Sequence, residues 1–213
     1  MTTSKTDPNG DWLDTAARIG RRLVKSGEWA GDASNWKVHV SKYVPGVREG
    51  DWVPASPGLY QGSAGIGLFL SELYRLTSDA DVLRTARGAL HHATAGAASY
   101  GEFNCGFHSG RLGVAFALYR LAQVTRDSEP LDAAIRILLP IASAPPRANP
   151  NTDVIGGAAG AIPALLAMSQ DLPAELGTDL AVRLGDHLIA LARRRGVGWS
   201  WYRGDTSIHD ATG

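Results

Sequence analysis

The sequence predicts an all-α fold of stacked helical hairpins, on three observations. A glycine pair returns three times, as Gly62 with Gly65, Gly110 with Gly113 and Gly157 with Gly160, the pairs standing 48 and 47 residues apart. Each pair opens an apolar run. Aligned on the second glycine, Ile66, Val114 and Ala161 share a column, then Phe69, Ala117 and Ala164, then Leu70, Leu118 and Leu165, then Leu73, Leu121 and Met168. These columns fall at i, i+3, i+4 and i+7, the stripe of an amphipathic helix. A period in the high forties holds two helices and their loops, where a propeller blade would need four short strands.

The elements follow in chain order. Residues 1–10 read as a disordered arm, followed by a helix from Asp11 to Lys25 with Leu13, Ala16, Ala17, Gly20 and Leu23 on one face. From Gly27 to Pro57 runs a long connection with Trp29, Trp36, Trp52 and a β-branched patch at Val38 to Val40; loops of this length pack on themselves or shape a site. The first unit has an inner helix from Ser63 to Leu76 and an outer helix from Ala80 to Ala93, buried through Val82, Leu83, Ala86, Leu90 and Ala93. The second has Leu112 to Val124 and Pro130 to Leu139, with Pro130 in the first turn, where a missing N–H costs little. The third has Ala159 to Ser169, with Pro163 in its first turn, and Pro173 to Arg194. Positive charge at Arg193 to Arg195 suits a helix C-terminus. Beyond Gly196 the segment GWSWYRGD alternates aromatics and suggests a short strand and turn.

Composition narrows the function classes. The 213 residues with 44% apolar content can bury a core, and 21 basic against 21 acidic residues leave no basic stripe for nucleic acid. The apolar stretches near residues 66–70 and 135–141 fall short of the roughly 20 residues a bilayer span needs, and the first residues lack the apolar core of a secretory signal. Cys105 is the only cysteine, so no internal disulfide forms, which fits a reducing cytoplasm. Glycine stands at 25 where roughly 15 would be average, the excess gathering at the repeat turns. A glycine there lets neighbours approach a helix N-terminus closely and allows the positive φ of a sharp turn. The six glycines are therefore packing devices, and the inward rim they form, toward which helix N–H groups point, can also line a site.

The segments LYQGSAGIGLFLSELYRL (59–76), FHSGRLGVAFALYRLA (107–122) and DVIGGAAGAIPALLAM (153–168) resemble the Gly-x-x-Gly repeats of the lanthionine synthetase C-like proteins. In that family seven helical hairpins close into an α/α toroid, so the resemblance, covering roughly residues 11–213, implies about three hairpins plus a leading helix, an incomplete ring. The tail GWSWYRGDTSIHDATG is similar to the aromatic segment that precedes the family's histidine motif, and the chain is expected to be an N-terminal portion of a longer or truncated member. A half ring would leave the last hairpin with an uncovered apolar edge.

The resemblance implies chemistry as well. Family cyclases hold a zinc ion through two cysteines and a histidine of the later hairpins; the zinc deprotonates a substrate thiol, which attacks a dehydroalanine or dehydrobutyrine and closes a thioether ring. A general acid or base then manages the proton on the enolate. None of the metal ligands matches a position in this chain. Of the catalytic set only an acidic residue carries over, onto Asp153, where the family implies that it orients a neighbouring histidine or relays a proton. The structural alternative is an N-cap of the following helix. The implied partners are a precursor peptide or the missing half of the toroid.

Other residues invite weaker readings. Cys105 and His108 have Cys-x-x-His spacing, but a structural zinc needs four ligands, and a buried thiol with a loop histidine is the plainer account. His91 and His92 face solvent or pair locally. His209 and Asp210 stand near the expected histidine motif but lack its following glycine, and Trp199 and Trp201 either stack on substrate or close a core. Three functions follow: a peptide cyclase, a non-catalytic peptide-binding or scaffold member of the family, and a carbohydrate-active α/α barrel. The last needs paired acids, for which Asp153 has only Glu102 as a distant second.

Overall fold

A computed structural model describes residues 8–39, 50–101, 103–144 and 151–201. The fold is all-α, an incomplete α/α ring. A leading helix α1 (Pro8–Ser26) precedes three hairpins with inner helices α2 (Ser63–Thr77), α4 (Arg111–Thr125) and α6 (Ala158–Met168), and outer helices α3 (Ala80–Gly96), α5 (Glu129–Ser143) and α7 (Thr178–Leu191). Each inner helix packs on its own outer helix, and α4 lies between α2 and α6. The apolar columns explain this layering. Leu70, Leu118 and Leu165 are buried in register, as are Leu73, Leu121 and Met168, so consecutive inner helices present the same stripe to a shared core. Ile66 and Phe69 are only half-buried and, with Ala16, Ala17, Leu23 and Val24 of α1, pack on the buried cluster of Leu70, Leu73, Val82 and Ala86.

Several boundaries differ from expectation for identifiable reasons. Helix α1 begins at Pro8, inside the stretch read as an arm, where proline suits a first turn. Helix α5 runs through Pro140 to Ser143 because Ile141 anchors the last turn in the core and Arg183 of α7 donates to the carbonyls of Ala142 and Ala144, both at 2.6 Å. Helix α7 starts at Thr178 rather than Pro173, after a turn in which Gly177 N–H donates to Pro173 O at 3.0 Å. It ends at Leu191 rather than Arg194. Arg193–Arg195 is not a helix end: it forms a strand, β5, paired antiparallel with Gly198–Ser200, β6, around Gly196 at φ 57°. Trp201 Nε1 donates to Leu188 O at 2.7 Å, Trp199 lies under the Arg194 guanidinium at 4.3 Å, and together they cap the helix.

The long connection after α1 folds as two small hairpins, Glu28–Ala30 (β1) with Ala33–Asn35 (β2) and Lys37–His39 (β3) with Trp52–Pro54 (β4). Val38 of the β-branched patch lies in β3, and Val40 lies outside the described residues. Trp36 is buried and its Nε1 donates to Leu23 O at 3.0 Å, a carbonyl near the end of α1 that also accepts from Gly27 N–H at 3.0 Å. Trp29 rests on α3 at Gly88, where an added Cβ would fall 2.7 Å from the indole.

The ends of the inner helices away from the glycines carry a polar seam across all three hairpins. Glu72 of α2 pairs with Arg120 of α4 at 2.6 Å and with Arg75 at 3.1 Å. Arg120 bonds Gln123, which reaches Tyr119 Oη, and Tyr119 donates to Asp171 after α6 at 2.9 Å. Burial alone would raise the Glu72 carboxyl, but the Arg120 and Arg75 guanidiniums outweigh it and hold the group below the usual carboxylate range. Ser78 and Arg126, 48 residues apart, both take the left-handed conformation that closes α2 and α4.

Candidate functional site

The three glycine loops, 56–62, 104–110 and 151–157, are copies of one structure. In each, the first helical N–H donates back seven residues: Ser63 to Ser56 O at 2.8 Å, Arg111 to Asn104 O at 3.2 Å, Ala158 to Asn151 O at 3.0 Å. The glycines are required by that fold-back. A Cβ on Gly65, Gly113 or Gly160 would sit 2.1, 2.0 or 1.9 Å from the carbonyl oxygen six residues earlier, of Leu59, Phe107 and Val154. A Cβ on Gly62 or Gly157 would fall 2.0 and 2.5 Å from Ser56 O and Asn151 O, and on Gly110 it would fall 2.3 Å from Asn104 Oδ1. Positive φ has no part in this. Gly62, Gly110 and Gly157 are helix N-caps at φ −151°, −157° and −130°, extended values open to any residue, so the constraint is space alone.

The loops are joined to one another by a backbone ladder through their fifth positions. Tyr60 N–H donates to His108 O at 3.0 Å, and His108 N–H donates to Ile155 O at 3.0 Å, joined there by Ser109 N–H at 3.3 Å. In the third loop the corresponding two donors, Ile155 and Gly156 N–H, both turn to Asp153 Oδ1 at 2.7 Å. Asp153 thus does not cap α6, whose N-cap is Gly157. Its carboxylate stands where the carbonyl of a further loop would continue the ladder, at the third loop position that is Gly58 and Gly106 in the other copies. It is solvent-exposed, so a fixed negative charge is presented at the rim.

Behind the first loop lies a cluster that the sequence did not suggest. His92 is not locally paired: its Nδ1 is 2.8 Å from Ser63 Oγ, and its Nε2 is 2.9 Å from Asn35 Nδ2. The Asn35 amide nitrogen also donates to Ala55 O at 3.1 Å, while Asn35 Oδ1 accepts from Trp36 N–H at 2.8 Å, which fixes the amide orientation. His92 Nε2 is therefore an acceptor, and the proton sits on Nδ1. Ser63 is fully buried, so the pair is a structural lock on the loop rather than a nucleophile and base. Burial lowers the His92 pKa below its ordinary value of 6.5. The unfolded chain then binds more protons below that value, so this contribution to stability is complete above about pH 6.5 and declines as pH falls. Denaturant unfolding from pH 5 to 7.5 should show stability rising with pH, with a shallower slope in His92→Gln.

His91 Nδ1 pairs with Asp32 of the β1–β2 turn at 2.9 Å, a partner far away in sequence. Cys105 is buried, and the His108 ring meets Phe107 and Tyr60 edge-on at 4.9 and 6.4 Å between centroids. Glu102, His209 and Asp210 lie outside the described residues. No helix among the described residues is long and apolar enough to cross a membrane.

The family model described as lanthionine synthetase C-like protein matches residues 53–206, which hold all three glycine loops, the ladder and Asp153. The chain belongs to this family. A search of curated proteins finds no match. The lanthionine synthetase C-like family is associated with zinc, but among the described residues no group of three or more His, Cys, Asp or Glu side chains is gathered to hold a metal. Among the described residues the Cys105 and His108 pair does not fit that ion, since a buried thiol and a histidine packed between aromatic rings are two donors where a structural zinc takes four.

Proposed function

We propose that this chain supplies the first three hairpins of a peptide-modifying cyclase that adds cysteine thiols to dehydroalanine or dehydrobutyrine, with the zinc-binding half supplied from outside the chain. The supporting observation is Asp153, a carboxylate held by two backbone N–H groups at the rim of the third glycine loop. In the addition a sulfur–carbon bond forms at the β-carbon, the alkene pair moves to the α-carbon and carbonyl, and a proton ends at the α-carbon. Asp153 would orient or charge a histidine that moves that proton. Exposed Val154, Ile155 and Leu166 on the last hairpin give the absent half an apolar edge to cover. The compartment is a reducing cytoplasm, where substrate thiols stay free.

The alternative reading is a non-catalytic member that binds a peptide. It is favoured by a 380 Å³ apolar cleft beside the first loop, lined by Ile19, Leu23, Leu59, Tyr60, Ile66 and Phe69. Ring closure does not change mass, so the deciding assay counts alkylatable thiols on a dehydrated peptide incubated with the complete ring; thiols that persist support the binding reading. The 213-residue chain by itself should retain no stoichiometric zinc after dialysis against a weak chelator and should close no rings. Elemental analysis showing one zinc per chain, lost on Cys105→Ala, contradicts this.

A further inference from the structure

The outer layer holds a groove that the repeat geometry makes conspicuous. Arg136 of α5 and Arg183 of α7 are repeat counterparts, 47 residues apart. Arg183 spans the junction between the second and third hairpins and donates to two carbonyl oxygens of the preceding outer helix. Arg136 faces the corresponding junction between the first and second hairpins, yet it is exposed and has no ion-pair or hydrogen-bond partner among the described residues. A cavity of about 460 Å³ lies there instead, floored by Leu90, Leu118, Leu121 and Ala133 and rimmed by Ala95 and Arg136. It adjoins a second cavity of about 500 Å³ beside Trp29, Leu83 and Arg84, and the two share Asp32, Arg87 and His91.

The charges around this groove do not all cancel internally. Arg87 is matched by Asp127 at 3.0 Å, while Asp32 is hydrogen-bonded to His91 Nδ1 at 2.9 Å and has a cationic partner there only when the imidazole is protonated. Glu129 sits in the first turn of α5, where the helix N-terminus offsets a negative charge. Two guanidiniums then lack a carboxylate among the described residues: Arg136 at one end, and Arg84, stacked over Trp29 at 4.7 Å, at the other. We propose that this groove docks an acidic amphipathic peptide segment, whose apolar side chains enter the two cavities while its carboxylates meet Arg136 and Arg84. Both walls and the floor belong to the described hairpins, so the site is independent of the cyclase reading and of any further hairpins.

The test uses the 213-residue protein and fluorescence anisotropy with a labelled heptapeptide alternating Leu and Glu, against its Leu and Lys counterpart. The acidic peptide should bind, weaken with added salt, and lose about tenfold or more in affinity in Arg136→Glu. Ala95→Trp, which fills the mouth from an exposed position, should abolish binding, and the basic peptide should not bind. Circular dichroism checks both variants, and Arg136→Gln, expected to weaken binding by a smaller factor, replaces either one that loses its helix signal. Equal binding of the two peptides, unchanged affinity in both variants, or no binding of the acidic peptide overturns the proposal. A concentration-dependent dimer that Arg136→Glu dissolves, without peptide binding, also overturns it and gives the groove to a second copy of the chain.

Discussion

Gly113→Ala is expected to lower the melting temperature by about 10 °C, the effect of roughly 3 kcal/mol on a domain of this size. By helix propensity alone the change should help, since alanine is favoured over glycine inside a helix by about 1 kcal/mol. The sign is reversed by what the new methyl meets. It would lie 2.0 Å from Phe107 O and 2.9 Å from Leu59 Cβ, and the carbonyl cannot step aside freely. Phe107 immediately precedes His108, whose N–H and C=O are both committed to the ladder joining the three loops. Relief of the clash therefore breaks loop-to-loop bonds or tilts α4 away from α2. Gly185→Ala in α7 is the matched control: nothing lies within 4 Å of its new Cβ, so it should gain about 0.5 to 1 kcal/mol. If Gly113→Ala raises the melting temperature as Gly185→Ala does, the steric account of the glycine loops is wrong.

The contrast between those two glycines also marks where sequence reading succeeds and where it stops. Repetition at 48 and 47 residues exposed the loop glycines, the apolar columns and hence the hairpins, because burial acts on residue type and spacing, both of which are written in the chain. Six residues before the first glycine of each pair, Ser56, Asn104 and Asn151 form a further polar column that bonds the fold-back in every loop. The end of α7 is not legible in the same way, because a run of three arginines suits a helix terminus as well as a strand; Gly196 and the pairing with Gly198–Ser200 make it a strand. His92 gave no signal. Its partners Ser63 and Asn35 are 29 and 57 residues away, and only the packing of α3 against the second β-strand brings them together.

Asp153→Asn should separate chemistry from structure at the rim. Asparagine keeps an oxygen at the Oδ1 position, so it can still accept the N–H groups of Ile155 and Gly156 now held at 2.7 Å, and the melting temperature should stay nearly unchanged. Asp153→Ala removes the acceptor and leaves both donors to water, at a cost of about 1 kcal/mol at this exposed site. The asparagine variant loses the charge and turns the second oxygen, an acceptor, into an amide donor. If the carboxylate orients or charges a histidine during proton transfer, ring closure by the complete toroid should fall by at least about a hundredfold in Asp153→Asn while folding is untouched. Thiol counting on a dehydrated peptide, beside a melting curve of the same variant, reads both quantities. Should the asparagine variant close rings at the parent rate while Asp153→Ala alone loses stability, the carboxylate serves only to end the loop ladder. A catalytic acid must then be sought outside the three hairpins.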